Sequence, residues 1–236
     1  MTDGAIEAAL LSDVSNERSG RVIVGFNWTA VEGPNGIGLA ASPSRQSGAS
    51  TTEETGSYRG KPLNALAALL RSNNGYERAI GLAACNAHWN APHAGLEEGS
   101  GLELAELADA KLAVIGRFPD LERRLPNATV LELNPGPKDR PASDAPDILP
   151  HAEAVVITAT TLVNGTLQGL LDLVRRETPV ILVGPSTPLC PSLLQLGVSE
   201  LAGFVVEDRE GCLKAVMEGA GARALKSFGR QVLLAG

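Results

Sequence analysis

Five short apolar runs constrain this chain more than any other feature: residues 112–116, 129–133, 154–158, 180–184 and 203–206. A strand with one face in water alternates apolar and polar residues, whereas an unbroken apolar run of four or five residues calls for burial on both faces. Covering both faces takes helices, and a helix between successive strands makes those strands parallel. The second half of the chain is therefore expected to form a Rossmann-like parallel sheet with a doubly wound arrangement.

The first half has a different texture. Ile6, Leu10 and Leu11 give a short helix over residues 3–12. Residues 21–26 and 36–41 are apolar and β-branched around a Gly-Pro-Asn-Gly turn signal, so they predict a hairpin. A Ser/Thr/Gly-rich stretch over 42–60 reads as a loop or an edge segment. Apolar residues then recur at helical spacing over 63–70 and 76–86, the first run preceded by a proline suited to a helix's first turn. Pro, Gly, Ser and Glu concentrate over residues 90–101, the composition of a linker. The expected organisation is a small α+β domain over 1–98 and an α/β domain over 99–236.

Composition removes several classes of function. A formal net charge of -7 repels phosphate backbones and anionic lipid, which argues against nucleic acid as a partner. Arg117, Arg123, Arg124, Lys138 and Arg140 lie close together in sequence, but such a run usually marks a solvated face. No stretch approaches the roughly 20 apolar residues of a membrane span, so no membrane partner is expected. The three cysteines are odd in number and widely spaced, which fits a reducing cytoplasm rather than a disulfide framework.

In open parallel sheets ligands bind beyond the carboxyl ends of the strands, where loops and helix N-termini converge. The segments at those ends are GRFP (116–119), ELNP (132–135), the run from Thr158 to Thr166, and GPSTP (184–188). In the third, Asn164 or Thr161 can cap a helix running to about Arg176, leaving N–H donors for an anion; a plain N-cap reads the same residues equally well. In the fourth, two prolines stiffen the presentation of Ser186 and Thr187. Glu132 stands where an acid commonly accepts from a ribose, yet GRFP lacks the repeated glycines that let a backbone approach a pyrophosphate.

Metal and nucleophile signals are weak. Cys85 and His88 are three apart and His93 follows, but no CxxC, HxxxH or HExxH occurs, and a Cys amid GLAAC is ordinarily core. Ser186, Thr187 and Cys190 have no GxSxG elbow and no evident His partner.

Taken together, the blocks GLAACNA (81–87), GRFP, ELNP, LPHAE (149–153), TTLVNGT (160–166) and GPSTPL (184–189) resemble a family of proposed heavy-metal chelation proteins. That family was once catalogued as a domain of unknown function, with an enolase-N-terminal-like domain ahead of a Rossmann-like one. The resemblance covers most of the chain. It implies an interdomain cleft lined by the strand-end loops and by the end of the Asn86 helix, with a role in binding a metal ion or metal chelate. The family usually carries His at the position of Arg117, which favours an anionic ligand over a bare cation. The expected ligand-binding residues are then Asn86, Arg117, Glu132, Asn134, Thr160, Thr161, Asn164, Gly165, Thr166, Gly184, Ser186 and Thr187. The expected partner is a small anionic ligand or metal chelate, and a homo-oligomer is compatible with this reading. Two alternatives remain open: an enzyme acting on a nucleotide-like metabolite, and a non-catalytic assembly or regulatory partner.

Overall fold

The computed structural model describes residues 4–43, 58–93, 96–102 and 111–236. Two sheets organise them. The first is a three-stranded antiparallel sheet of β1 (Val22–Val24), β2 (Trp28–Glu32) and β3 (Ile37–Ala41), in that order. The hairpin lies between β2 and β3, with residues 33–36 as its turn, and β1 adds to the far side of β2. Sequence reading missed β2 and paired 21–26 with 36–41. The signal was masked because Asn27 interrupts the apolar run and only four residues separate β2 from β3.

Three helices accompany this sheet: α1 (Ala5–Leu11), α2 (Leu63–Ala67) and α3 (Gly75–Trp89). Asn74 caps α3, its Oδ1 accepting from the N–H groups of Tyr76 and Glu77. Every residue of α3 from Ala79 to Ala87 is buried, which explains its run of small and apolar side chains. At Gly38 of β3 a Cβ would collide with the Ala83 carbonyl, so glycine sets how closely helix and sheet approach.

The second sheet has eight strands in the order β4-β11-β10-β9-β8-β5-β6-β7. They are β4 (Glu97–Glu98), β5 (Leu112–Ile115), β6 (Thr129–Glu132), β7 (Arg140–Pro141), β8 (Ala154–Thr158), β9 (Val180–Val183), β10 (Glu200–Val206) and β11 (Gly229–Ala235). From β7 through β10 every pairing is parallel, and β11 and β4 join antiparallel at one edge. Counted from β5, the parallel part reads 3-2-1-4-5-6, the order of doubly wound sheets. All four residues of β5 and of β9, and all seven of β10, are buried, as continuous apolar runs require.

β10 begins at Glu200 rather than 203, because Glu200, Leu201 and Ala202 pair with both β9 and β11, and the buried acid Glu200 hides that start in the residue pattern. β11, β7 and β4 escaped the sequence reading; β11 is only half-buried and β7 and β4 are two residues each. The expected helix from Asn164 to about Arg176 is two pieces, Thr160–Val163 and Leu167–Leu173. Gly165, with φ of 75°, makes the break between them.

Candidate functional site at the switch point of the large sheet

β5 leads to β6 on one side of the sheet and β8 leads to β9 on the other, so the loops leaving β5 and β8 diverge and open a crevice. A cavity of about 430 Å³ occupies it, within the roughly 300–1,000 Å³ range of small-molecule sites. Residues 117–120 after β5, Thr158 and Thr160 at the end of β8, and residues 183–185 at the end of β9 form one side. Phe204 of β10, the segment around Arg223 and Lys226, and Trp28 of the small sheet form the other.

The wall is cationic in an acidic molecule. Among the described residues, Arg117, Arg123, Arg124, Arg223 and Lys226 face it together with one acid, Asp120. Three of these cations are held by neighbours. Arg117 makes a two-pronged ion pair with Asp139, Nε to Oδ2 at 2.8 Å and Nη2 to Oδ1 at 2.6 Å, and this keeps the Asp139 carboxyl below its usual range. Arg223 reaches Asp120 at 2.9 Å, and Arg124 donates to Ser100 Oγ at 2.9 Å. Among the described residues, Arg123 and Lys226 have no carboxylate partner. Asp120 has φ of 65°, left-handed for a non-glycine residue, the kind of strained loop position that gathers at ligand sites.

Of the residues singled out from the sequence, Arg117, Thr160 and Gly184 line this cavity. Glu132 lies behind it: Oε1 accepts from the Arg117 N–H at 2.6 Å and Oε2 from the Leu133 N–H at 3.1 Å, which ties the loop after β5 to the end of β6. Asn134 sits in the exposed turn that follows. Thr161 is buried and donates to the Thr158 carbonyl at 2.7 Å. Asn164 Oδ1 accepts from the N–H and the hydroxyl of Thr166 across Gly165, closing a turn on itself rather than capping an open helix end.

Asn86, Ser186 and Thr187 are buried in the seam between the small sheet and the large one. Asn86 Nδ2 donates to the carbonyls of Leu39 and Ser186 at 2.7 and 2.9 Å, and Ser186 Oγ accepts from the Ala41 N–H at 2.8 Å. Asn90 completes the seam, donating to the carbonyls of Thr187 and Phe204 and accepting from the Leu189 N–H. The predicted residues thus share a rim of the sheet but divide between the cavity, its backing and the seam.

Trp28, Phe204, Arg223 and Lys226 were not anticipated. No local pattern marks them, because β2, β10 and the segment after Ala222 meet only in three dimensions. Arg123 and Arg124 were visible as a basic run and read as solvated.

A soft metal ion would need thiolate or imidazole donors. Cys85, Cys190 and Cys212 are all buried and unbridged, and burial raises their thiol pKa values, that of Cys212 to about 12. Burial also lowers the pKa of His88. Among the described residues, no group of three or more His, Cys, Asp or Glu side chains is placed to hold a metal ion. These donors do not fit direct ligation of a heavy metal. None of the described helices is long and apolar enough to cross a membrane.

Comparison with known proteins agrees with the geometry of the fold. The profile of the DUF364 family, described as "Putative heavy-metal chelation", matches residues 100–235, and that of DUF4213, with the same description, matches residues 8–89. A crystal structure of a DUF364 protein of unknown function from Desulfitobacterium hafniense is 29% identical, with a TM-score of 0.90 over 99% of this chain and 98% of that one. A second, from Pyrococcus horikoshii, is 22% identical and shares the fold, with a TM-score of 0.83 over 99% of each chain. An uncharacterized protein of Methanocaldococcus jannaschii is 31% identical over 155 residues, and the match spans 58% of this chain and 58% of that protein's length. Strands β5 to β11 of the large sheet lie within the DUF364 match and the small sheet within the DUF4213 match, and this chain belongs to the DUF364 family.

Proposed function

We propose that this chain binds a small anionic ligand, an anionic metal chelate included, at the switch point of its large sheet. One observation carries the reading: five Lys and Arg side chains border a single cavity of about 430 Å³ in a chain whose net charge is -7. Concentrating cations around one crevice against the global charge raises the local concentration of anions, and two of the five have no competing carboxylate among the described residues. The family's association with heavy metals then refers to cargo already wrapped by an organic chelator, since the protein's own donors do not suit the bare ion.

The nucleotide-enzyme reading fits less well. Glu132, the residue placed to meet a ribose, already accepts from two backbone N–H groups.

Calorimetric titration in low-salt buffer tests the proposal with phosphate, pyrophosphate, citrate and ferric citrate on one arm and bare Zn²⁺ and Cd²⁺ on the other. At least one anion is expected to bind with Kd below about 1 mM, more weakly as salt is added. Binding of the bare cations alone, or of nothing, would contradict it.

A further inference from the structure

The cations account for charge, but they leave half of the wall unexplained. Leu102, Phe118, Val183, Phe204 and Leu225 stand among them, and an inorganic oxyanion a few ångströms across would leave this apolar surface uncovered. The space also continues: a second hollow of about 400 Å³ shares Ser100, Phe204, Lys226 and Gln231 with the first, so Lys226 stands between the two.

Trp28 supplies an independent observation. It is 8% exposed and lines the cavity, and its indole N–H is closed off from solvent with no acceptor among the described residues. A buried donor without a partner is costly, and native folds retain few of them. Trp89, the other tryptophan, donates its N–H to the Leu10 carbonyl at 3.0 Å. Asn86 Oδ1, Thr187 Oγ1 and Gln168 Oε1 are also buried without a partner among the described residues, but these lie away from the cavity, and Trp28 carries the unmatched donor in its wall.

We infer that the ligand is a ring-bearing organic polycarboxylate: its carboxylates meet Arg123 and Lys226, its ring covers Phe118 and Phe204, and an acceptor on it takes the Trp28 indole N–H. The inference rests on the anion reading above and narrows it to one chemical class. It also makes Trp28, on the small sheet, a specificity residue for a site whose charge comes from the large one. Because the indole N–H is closed off, the ring must turn as the acceptor arrives, and the indole signal becomes the reporter.

The test uses pyridine-2,6-dicarboxylate and inorganic phosphate as probes, titrated into the full chain and into Trp28→Phe in metal-free buffer. The dicarboxylate should bind at least about tenfold more tightly than phosphate, and Trp28→Phe should weaken the dicarboxylate about tenfold while leaving phosphate unchanged. Phosphate binding as tightly as the dicarboxylate, or a variant that holds the dicarboxylate as well as the parent, overturns the inference and leaves the anion reading standing. Failure of both probes overturns the inference, and the anion reading falls with it when pyrophosphate, citrate and ferric citrate also fail to bind. Should Trp28→Phe not fold, the ¹⁵N-labelled parent decides: the Trp28 indole resonance moves with the dicarboxylate and not with phosphate, and an unmoved signal overturns the inference.

Discussion

The seam and the cavity lie along the same rim of one sheet, yet the seam directs neutral side chains onto backbone partners and the cavity gathers charged ones. In the seam, Asn86, Asn90 and Ser186 direct side-chain groups onto backbone partners that the docking of two sheets would otherwise bury unpaired. In the cavity, Arg123 and Lys226 keep their charge without a carboxylate partner among the described residues, and Trp28 keeps an unmatched donor. A polar residue in a strand-end loop is therefore equally at home as adhesive or as a recognition group. The seam too holds polar atoms without a partner among the described residues, Asn86 Oδ1 and Thr187 Oγ1, so what separates the two is the positive charge gathered at the cavity rather than the satisfaction of every hydrogen-bonding group.

The comparison breaks most visibly at Asn90. Asn90→Ala leaves the carbonyls of Thr187 and Phe204 and the Leu189 N–H buried without partners. The expected loss is about 3–5 kcal/mol of unfolding free energy, read as a lower urea midpoint at constant slope. Ligand affinity in the remaining folded protein should not change. A neutral effect on stability would mean that the seam is not the adhesive described here.

A smaller effect concerns the charged end of the same contact. Arg21 bridges Glu32 of β2 and Glu210 at the start of the helix Arg209–Met217. The Arg21 hydrogen bond lowers the Glu32 pKa from 4.5 to about 2. A carboxylate with a depressed folded-state pKa contributes stability that is fully present above its unfolded value and is lost as pH falls through the folded one. Stability should therefore drop between about pH 4.5 and pH 2, by about 1 kcal/mol after screening of this partly exposed pair, and Arg21→Met should flatten that part of the curve. An unchanged profile in the variant would assign the acid loss to other carboxylates.

Much of the fold could be read from residue pattern alone because burial on both faces leaves a local trace: β5, β8 and β9 announced themselves as uninterrupted apolar runs. β2 and β11 left none. Asn27 interrupts the apolar run that leads into the first, and the second is half-buried and mixes Arg230 and Gln231 with Val232 and Leu233. The candidate site was less legible. Arg117, Thr160 and Gly184 sit at strand ends where the topology rule points, whereas Trp28, Arg223 and Lys226 reach the cavity from elements that no spacing connects to it. Arg123 was in view, but whether an arginine points into solvent or into a crevice depends on where Leu121 and Leu125 anchor its short helix, and that is a property of packing.

Titration of the double variant Arg123→Gln, Lys226→Gln with pyrophosphate at low salt, beside the parent chain, bears most directly on the claim that the two cations without a carboxylate partner among the described residues hold an anion. Affinity should fall about a hundredfold, or about 2.7 kcal/mol, while the urea midpoint stays where it was, since neither side chain has an ion-pair partner among the described residues. Parent-like affinity in the double variant, or a parent chain that binds no anion, would contradict it.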